Sequence, residues 1–359
     1  MKKHKVFISP LNWGLGHATR CIPIIRYFLK NGWDVVIGAE EPGYTLLQKE
    51  FPDLLMIHFP GIRVTYSHKI PVAFKLLLQA PRILLNIFSE HLRLQKIIDA
   101  YRIDLVVSDN RYGLWTNKIP SIFMTHQLHI RPPKSLRVAG PFILRLNKYF
   151  IRRFTRIWVP DFFGALSVAG ALSQPPIHKS TDYIGTLSRF SKRGEPVIFD
   201  FLIIISGPEP QRTVFEEKVR QSLHQVQSNG IVVRGVPQAV KPYEIHSGTE
   251  IFSHLTGKKL EKIANQARTI ICRSGYSTVM DLLAIGKPAV FVPTPGQTEQ
   301  EYLAEYLMGN SFIKMNQKDF NLKEALRLGK TLQAPDFVNS LKTEKNIDES
   351  LKKINMNPN

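Results

Sequence analysis

Short apolar runs recur along the chain and alternate with longer amphipathic segments. In the amino-terminal half these runs are Val6–Ser9, Asp34–Gly38, Leu54–Phe59, Leu105–Ser108, Ser121–Thr125 and Arg156–Pro160. Continuous apolar runs of about four to six residues predict strands that are buried on both faces. The segments between them, including Thr19–Asn31 and residues 71–100, have helical spacing. This order predicts a parallel sheet that is covered by helices on both sides.

A second series of the same kind begins after Pro175 and Pro176. Its predicted strands are Phe199–Ser206, Ile231–Arg234, Glu250–Ser253, Thr269–Cys272 and Ala289–Val292. Two such series predict an α/β protein with two Rossmann-like domains that face each other across a ligand cleft. We place the amino-terminal domain at residues 1–168 and the carboxy-terminal domain at residues 177–342. Residues 343–359 are expected to form a partly helical, solvated tail.

The composition is that of a globular protein in a reducing compartment. Of its 359 residues, 43% are hydrophobic and 21% are charged, which excludes an extended disordered chain. No apolar stretch reaches the ~18–20 residues of a membrane-spanning helix, and the first predicted strand leaves no room for a signal peptide. Cys21 and Cys272 lie in apolar settings, which predicts buried thiols and offers no zinc site. We therefore expect a cytoplasmic protein.

The net charge of +19 is concentrated in one part of the chain. Between Gly61 and Arg156 there are 17 Lys or Arg and 4 acidic residues, and the same window is rich in Leu, Ile and Phe. Basic residues mixed with aliphatic ones at helical spacing suit an anionic membrane surface. Core-facing helices with a basic solvent face are the alternative. Nucleic acid is disfavoured because no recognition motif appears. The window predicts a peripheral protein on the inner face of the cytoplasmic membrane.

The first glycine-bearing loop follows the first predicted strand directly. Gly14 and Gly16 let the backbone turn tightly and approach a ligand closely. His17 then lies near a helix N-terminus, where a neutral imidazole can accept a proton from a hydroxyl. The alternative is that His17 only caps the helix. Asp109, at the end of another predicted strand, is the second candidate base, and its alternative role is an ion pair with Arg111.

Two further loops connect a strand to a helix in the carboxy-terminal half. Ser206 and Gly207 follow the strongest predicted strand, although nearby prolines remove backbone donors. Small and hydroxyl residues in Arg273–Asp281 leave the N–H groups of a helix N-terminus available to a diphosphate. Asp281, about two turns along, is placed to accept hydrogen bonds from a ribose diol. The candidate nucleotide contacts here are Arg273, Ser274, Gly275, Tyr276, Ser277, Thr278, Asp281, Gln297 and Gln300.

Together the three loops resemble those of family 28 glycosyltransferases, which have the GT-B fold. The resemblance covers most of the chain and is strongest from Gln266 to Ala304, where Cys272–Gly275, Thr278, Asp281 and Gln300 follow the family's donor motif. It implies donor contacts at Asp281, Gln300 and Arg189, and an acceptor and diphosphate side at Gly14, Gly16, His17 and Gln127. The best-known member adds N-acetylglucosamine to a lipid-linked peptidoglycan intermediate. Departures in the second loop and around Gln127 are why we do not expect the chain to be that enzyme.

The residues and the resemblance together predict a glycosyltransferase of the EC 2.4 class that acts in the cell envelope. It would move a sugar from a UDP-sugar, such as UDP-GlcNAc, to a hydroxyl of a lipid-linked or glycan acceptor. An inverting displacement without a cofactor is expected, and without a metal because no DxD-type pair appears. One alternative is a UDP-sugar hydrolase in which His17 activates water, because the first loop is also similar to that of a hydrolase of nonulosonic acid synthesis. The other is a non-catalytic binder of nucleotides or polyanions.

Overall fold

The computed structural model of the chain describes residues 3–13, 15–61, 72–132, 138–236, 243–246, 248–335 and 341–356. For residues 72–80, 246, 341 and 342 it describes the backbone alone. Gly14, one of the predicted site residues, lies outside the described residues. The chain divides into two compact units, which are residues 1–187 with 340–359, and residues 188–339.

The first unit is built on a parallel sheet that has seven strands among the described residues. The strands are β1 (Lys5–Pro10), β2 (Asp34–Ala39), β3 (Leu55–His58), β4 (Leu105–Asp109), β5 (Ser121–Met124), β6 (Arg156–Val159) and β7 (Thr181–Tyr183). They lie in the order β3-β2-β1-β4-β5-β6-β7. The helices between them are α1 (Leu15–Lys30), α2 (Gly43–Glu50), α3 (Val72–Tyr101) and α4 (Gly140–Ile151).

The second unit repeats this plan. Its strands are β8 (Phe199–Ile204), β9 (Gly230–Val233), β10 (Tyr243–His246), β11 (Thr249–Phe252), β12 (Ala267–Cys272), β13 (Ala289–Phe291) and β14 (Phe312–Lys314). They lie in the order β10-β11-β9-β8-β12-β13-β14, and β10 pairs antiparallel with β11. The helices are α5 (Gln211–Leu223), α6 (Gly257–Gln266), α7 (Tyr276–Ile285), α8 (Thr298–Tyr306) and α9 (Leu322–Gly329).

The apolar runs become central strands because both of their faces are covered. Every residue of β4 and β5 is buried, and Phe7 and Phe123 pack in one core with residues of α3. Phe201 of β8 packs with Phe215 of α5 in the corresponding core of the second unit. The predicted α/β architecture with two parallel-sheet domains is confirmed.

Each sheet has a point at which its strand order reverses. In the first unit the chain builds outward from β1 through β2 to β3, and then returns to place β4 on the other side of β1. In the second unit the same reversal lies between the neighbouring strands β8 and β12. Crevices at the carboxyl ends of strands beside such a reversal are the usual ligand sites of open α/β sheets. The first and third predicted loops follow β1 and β12, so both lie at these positions.

The bounds of the units differ from the predicted domain bounds at two places. The segment after residue 177 stays with the first unit, because β7 pairs with β6 through Trp158 and Asp182. The carboxy-terminal helix α10 (Leu341–Lys352) also belongs to the first unit rather than forming a solvated tail. Its Ile347 and Leu351, one turn apart, are buried. The abundant Lys and Asn residues of this segment concealed its apolar stripe.

Candidate functional site

A cluster of charged side chains lies at the strand reversal of the first sheet. Asp109 ends β4, and His17 and Arg20 lie near the start of α1, which follows β1. His17 Nδ1 is 3.0 Å from Asp109 Oδ2. Arg20 Nε donates to both carboxylate oxygens of Asp109, at 3.0 and 3.1 Å, and Arg20 Nη2 also donates to Oδ1. The two candidate bases of the sequence are therefore in direct contact.

The charge of Asp109 decides which nitrogen of His17 carries the proton. Asp109 is completely buried, and burial alone would raise its pKa, but Arg20 and His17 outweigh burial and lower the pKa below its usual value. An ionised carboxylate can only accept hydrogen bonds, so the proton of a hydrogen bond between His17 and Asp109 lies on His17 Nδ1, although Arg20 Nη2 is also 2.9 Å from that nitrogen. This tautomer leaves the lone pair on Nε2. With that lone pair, His17 can act as a general base that Asp109 orients.

The alternative role considered for Asp109, an ion pair with Arg111, is wrong. Arg111 instead pairs with Glu90 of α3, with 2.7 Å between Nη2 and Oε1, and both side chains are buried. Asn110 between the two residues has a φ of 60°. The chain turns sharply there, so that Asp109 reaches α1 while Arg111 reaches α3.

Two members of the cluster, Arg20 and His126, were missed from the sequence. Arg20 Nη1 lies 2.8 Å from His126 Nδ1, and both side chains are buried. Arg20 follows His17 by one helical turn, which is a signal that helical periodicity offers. His126 comes just after β5, and its approach to α1 depends on β5 pairing with β4, which the sequence does not reveal.

The remaining residues of the predicted acceptor side lie close to this cluster. Helix α1 begins at Leu15, earlier than predicted, so Gly16 and His17 are in its first turn. Gly16 is exposed, and its carbonyl accepts from the Thr19 hydroxyl at 3.0 Å. Gln127 directly follows His126 and is half-buried. Contact of these residues with an acceptor stays a prediction.

The N-terminus of α7 is accessible at the strand reversal of the second sheet. Gly275 is its N-cap residue, no described side chain caps it, and a Cβ on Gly275 would meet no described atom within 4 Å. Ser277 and Thr278 are half-buried in the first turn. In the loop after β8, Gly207 is exposed and adopts a φ of 110°, a conformation that favours glycine. These features suit a diphosphate, as the sequence predicts.

Arg273 is a predicted contact of the sugar donor, but in the structure it stabilises the surrounding loops. Its guanidinium is buried and donates to Val292 O at 2.8 Å, to Gln211 O at 3.0 Å and to Gln317 Oε1 at 2.7 Å. Its Nε donates to the carbonyl of half-buried Ser206 at 3.3 Å. Burial lowers the pKa of Arg273 to about 10. Arg273 therefore ties together the loops around the helix N-terminus, and we revise its predicted contact with the donor.

Gln300 likewise shapes the neighbouring loops. Its Oε1 accepts from Thr294 N at 2.8 Å, and its carbonyl accepts from the hydroxyl of Ser274 at 2.7 Å. Gln297 is the N-cap residue of α8 and is half-buried. The side chain of Tyr276 is buried, so this residue can offer a ligand little beyond its backbone.

Asp281 lies in the second turn of α7 and has partners within its own unit. Ser188 Oγ donates to Asp281 Oδ1 at 2.7 Å, and Arg189 Nε lies 3.7 Å from Oδ2. Burial raises the pKa of Asp281, and Arg189 partly opposes that rise. A cavity of about 50 Å³ beside Arg189 and Asp281 is lined mainly by apolar residues of α6, α7 and β12.

The described part of the chain contains no group of three or more His, Cys, Asp or Glu side chains that could hold a metal ion. Among the same residues, no helix is long and apolar enough to cross a membrane. Metal independence stays a prediction.

Comparison with known proteins identifies the family. Residues 212–357 match the model of the glycosyltransferase family 28 C-terminal domain. A relative from Buchnera aphidicola subsp. Schizaphis graminum is 25% identical over 315 residues, which cover 84% of this chain and 81% of the relative. It is named UDP-N-acetylglucosamine--N-acetylmuramyl-(pentapeptide) pyrophosphoryl-undecaprenol N-acetylglucosamine transferase. The chain carries the C-terminal domain of family 28 glycosyltransferases. An uncharacterized glycosyltransferase from Methanosarcina acetivorans is also 25% identical, over 341 residues, and the match covers 84% of this chain and 81% of that relative.

Solved structures show that the chain has the GT-B fold. The glycotransferase of kitacinnamycin aligns with a TM-score of 0.61 at 14% identity, over 99% of this chain and 95% of the other. MurG from Acinetobacter baumannii aligns with a TM-score of 0.53 at 15% identity, over 99% of both chains. The predicted fold, family and EC 2.4 class are confirmed.

Proposed function

We propose that the chain transfers a sugar from a UDP-sugar, such as UDP-GlcNAc, to a hydroxyl of a lipid-linked or glycan acceptor. The second unit would bind the nucleotide, and the first would supply the base. The observation that carries this proposal is the 3.0 Å contact between His17 Nδ1 and Asp109 Oδ2, which leaves Nε2 as the basic nitrogen. The names of the relatives support a UDP-linked donor and a pyrophosphoryl-lipid acceptor.

The chemistry of such a transfer assigns a task to each unit. His17 Nε2 would take the proton of the acceptor hydroxyl as its oxygen attacks the anomeric carbon. The bond from that carbon to the diphosphate breaks in the same step, so the configuration inverts. Negative charge then grows on the departing diphosphate, where the N–H groups of the first turn of α7 can stabilise it without a metal.

A donor assay with and without acceptor separates transfer from the rival hydrolysis. UDP-GlcNAc is incubated with the protein in water alone, and then with pyrophosphoryl-undecaprenol carrying N-acetylmuramyl-pentapeptide, the acceptor in the relatives' name. We expect UDP release to accelerate only with an acceptor, and a panel of lipid and glycan acceptors extends the test. Rapid UDP release in water alone would instead assign the chain to the hydrolases.

We expect Asp281→Asn to weaken UDP-GlcNAc binding by ~1–3 kcal/mol, because a charged acceptor of hydrogen bonds from the ribose diol would be lost. Isothermal titration calorimetry measures this change directly. Asp319→Asn is the matched control, since Asp319 is an exposed aspartate of the same unit. Equal affinities for Asp281→Asn and the control would remove Asp281 from the nucleotide site.

The basic, apolar window of the sequence forms exposed faces on α3 and α4. Leu85 and Phe88 of α3 are 70% and 62% exposed, and Phe142 of α4 is 68% exposed. Exposed basic residues accompany them, namely Arg82, Arg93, Arg145, Lys148 and Arg152. The ring of Trp115 stacks on His91 of α3 and lies 4.9 Å from the guanidinium of Arg153, which follows α4. Exposed large apolar side chains together with exposed cations are the chemistry of a surface that binds anionic lipid.

We therefore propose that these two faces place the enzyme on an anionic membrane, beside a lipid-linked acceptor. The protein should sediment with phosphatidylglycerol-containing vesicles in low salt, and be released in high salt. Pure phosphatidylcholine vesicles should retain far less of it. The described residues cover only part of the Gly61–Arg156 window.

A pair of variants tests whether α4 contacts the lipid in the vesicle experiment. Phe142→Ser should reduce cosedimentation, because it removes an apolar side chain that would enter the lipid. Phe163→Ser is the matched control, since Phe163 is 64% exposed in the same unit but lies outside both helices. Equal sedimentation of both variants and wild type would mean that α4 does not contact lipid.

A further inference from the structure

His126 and His17 both contact the guanidinium of Arg20, but only His17 also contacts the carboxylate of Asp109. Arg20 Nη1 lies 2.8 Å from His126 Nδ1, and Arg20 Nη2 lies 2.9 Å from His17 Nδ1. His17 Nδ1 also faces the carboxylate of Asp109 at 3.0 Å. The two imidazoles therefore belong to one buried network, centred on the ion pair between Arg20 and Asp109.

The donor and acceptor rules of these groups fix the proton on each ring. Arginine keeps its charge in proteins and has no acceptor, so Arg20 must donate to His126, whose Nδ1 must carry a lone pair. A neutral His126 then carries its hydrogen on Nε2. His17 Nδ1 faces Asp109 Oδ2 at 3.0 Å as well as Arg20 Nη2 at 2.9 Å, and the carboxylate charge holds the proton on that nitrogen, so His17 has the reverse arrangement. One ion pair thus sets one imidazole as a base and the other as a hydrogen-bond donor.

The donor nitrogen of His126 faces the side chain of Gln127. His126 Nε2 lies 3.5 Å from Gln127 Nε2, and two N–H groups that face each other repel. A half rotation of the terminal amide exchanges its nitrogen and oxygen, and brings the oxygen toward the N–H of the ring. The NH₂ group of Gln127 then points away from His126.

We propose that His126 is a positioning residue of the acceptor side, which turns Gln127 so that its NH₂ group donates to an oxygen of the acceptor. The order of donation is Arg20 to His126, His126 to Gln127, and Gln127 to the acceptor oxygen. This inference rests on the proposed sugar transfer for its last step only. The proton positions on His17 and His126 depend on the described contacts alone.

The tautomers are tested in the protein without substrate. Nitrogen-15-labelled histidine and long-range proton–nitrogen correlation spectra distinguish rings protonated on Nδ1 from rings protonated on Nε2. His17→Gln and His126→Asn assign the two signals. We expect His126 to be protonated on Nε2 and His17 on Nδ1. A His126 ring protonated on Nδ1, or doubly protonated near neutral pH, would overturn the proposal.

The last step is tested by kinetics with UDP-GlcNAc and the pyrophosphoryl-undecaprenol acceptor described above. His126→Asn keeps an oxygen that can accept from Arg20 but loses the donor toward Gln127. It should raise KM for the acceptor about 5–10-fold, the worth of one hydrogen bond, while KM for UDP-GlcNAc is unchanged. His126→Gln offers an NH₂ near the position of Nε2 and should restore part of the acceptor affinity.

His129→Asn is the matched control, because His129 lies three residues away and contacts Pro175 O rather than the network. An unchanged acceptor KM in His126→Asn, or equal rises of both KM values, would overturn the role in positioning. No transfer by the wild-type protein with any acceptor would refute the proposed function instead, while the spectra would still decide the tautomers.

Discussion

Replacing His17 with alanine should lower kcat by ~10²–10⁴-fold, the usual contribution of a general base. The reason is that a His17 ring that donates from Nδ1 to Asp109 has a lone pair on Nε2 that can accept a proton, whereas the Nδ1 lone pair of His126 faces Arg20. Asp109 is buried and bound by Arg20, and Arg20 itself carries no lone pair. The measurement is the initial rate of UDP release from UDP-GlcNAc in the presence of acceptor.

The same variant should fold normally and bind the donor normally. Only 14% of the His17 side chain is exposed, but its loss leaves the ion pair between Arg20 and Asp109 intact. His58→Ala is the matched control, since His58 is an exposed histidine of the same unit. A His17→Ala protein with wild-type kcat would mean that another group takes the proton.

The sequence predicts a large part of this architecture because the central strands of both sheets are parallel and buried. Strands such as β4 and β12 must be apolar throughout, so they stand out against the amphipathic helices. The same property explains why the edge of the second sheet was missed. In β10, Tyr243 and Ile245 are exposed, so no continuous apolar run marks this strand.

The candidate site is harder to predict, because its members meet through the order of the strands. His17 and Asp109 are 92 residues apart in the chain, and they meet because β4 pairs with β1. A sequence motif can identify such residues but cannot show which of them are in contact. For Arg273 the motif is misleading. Its place in the motif for the sugar donor suggested a ligand contact, whereas its buried hydrogen bonds give it a structural role.

Asp109→Asn should be nearly as damaging to catalysis as removal of His17, although it leaves the imidazole in place. His17 Nδ1 lies between an acceptor, Asp109 Oδ2 at 3.0 Å, and a donor, Arg20 Nη2 at 2.9 Å. The carboxylate charge keeps the proton on Nδ1. With a neutral amide at position 109, donation from Arg20 into Nδ1 is favoured, and the proton moves to Nε2. The base is then lost, so we expect kcat to fall by ~10²–10⁴-fold.

The same substitution should also destabilise the first unit. It leaves the guanidinium of Arg20 buried without its counter-ion, for which the cost is ~3–5 kcal/mol in the free energy of unfolding. Urea denaturation near neutral pH measures this cost. Asp99→Asn is the matched control, because Asp99 is 63% exposed in its pair with Lys118 and should change stability by less than ~1 kcal/mol.

The pH dependence of the stability difference between wild type and Asp109→Asn can also be predicted. The folded-state pKa of Asp109 is lowered, so its contribution is fully present above the unfolded-state value of ~3.9 and is lost as the pH falls through the lower folded-state value. The difference in the free energy of unfolding between wild type and Asp109→Asn should therefore be constant around neutral pH. It should decrease only at acidic pH. A difference that narrowed between pH ~8 and ~6 would point to the titration of a histidine, and would contradict a carboxylate that is ionised throughout that range.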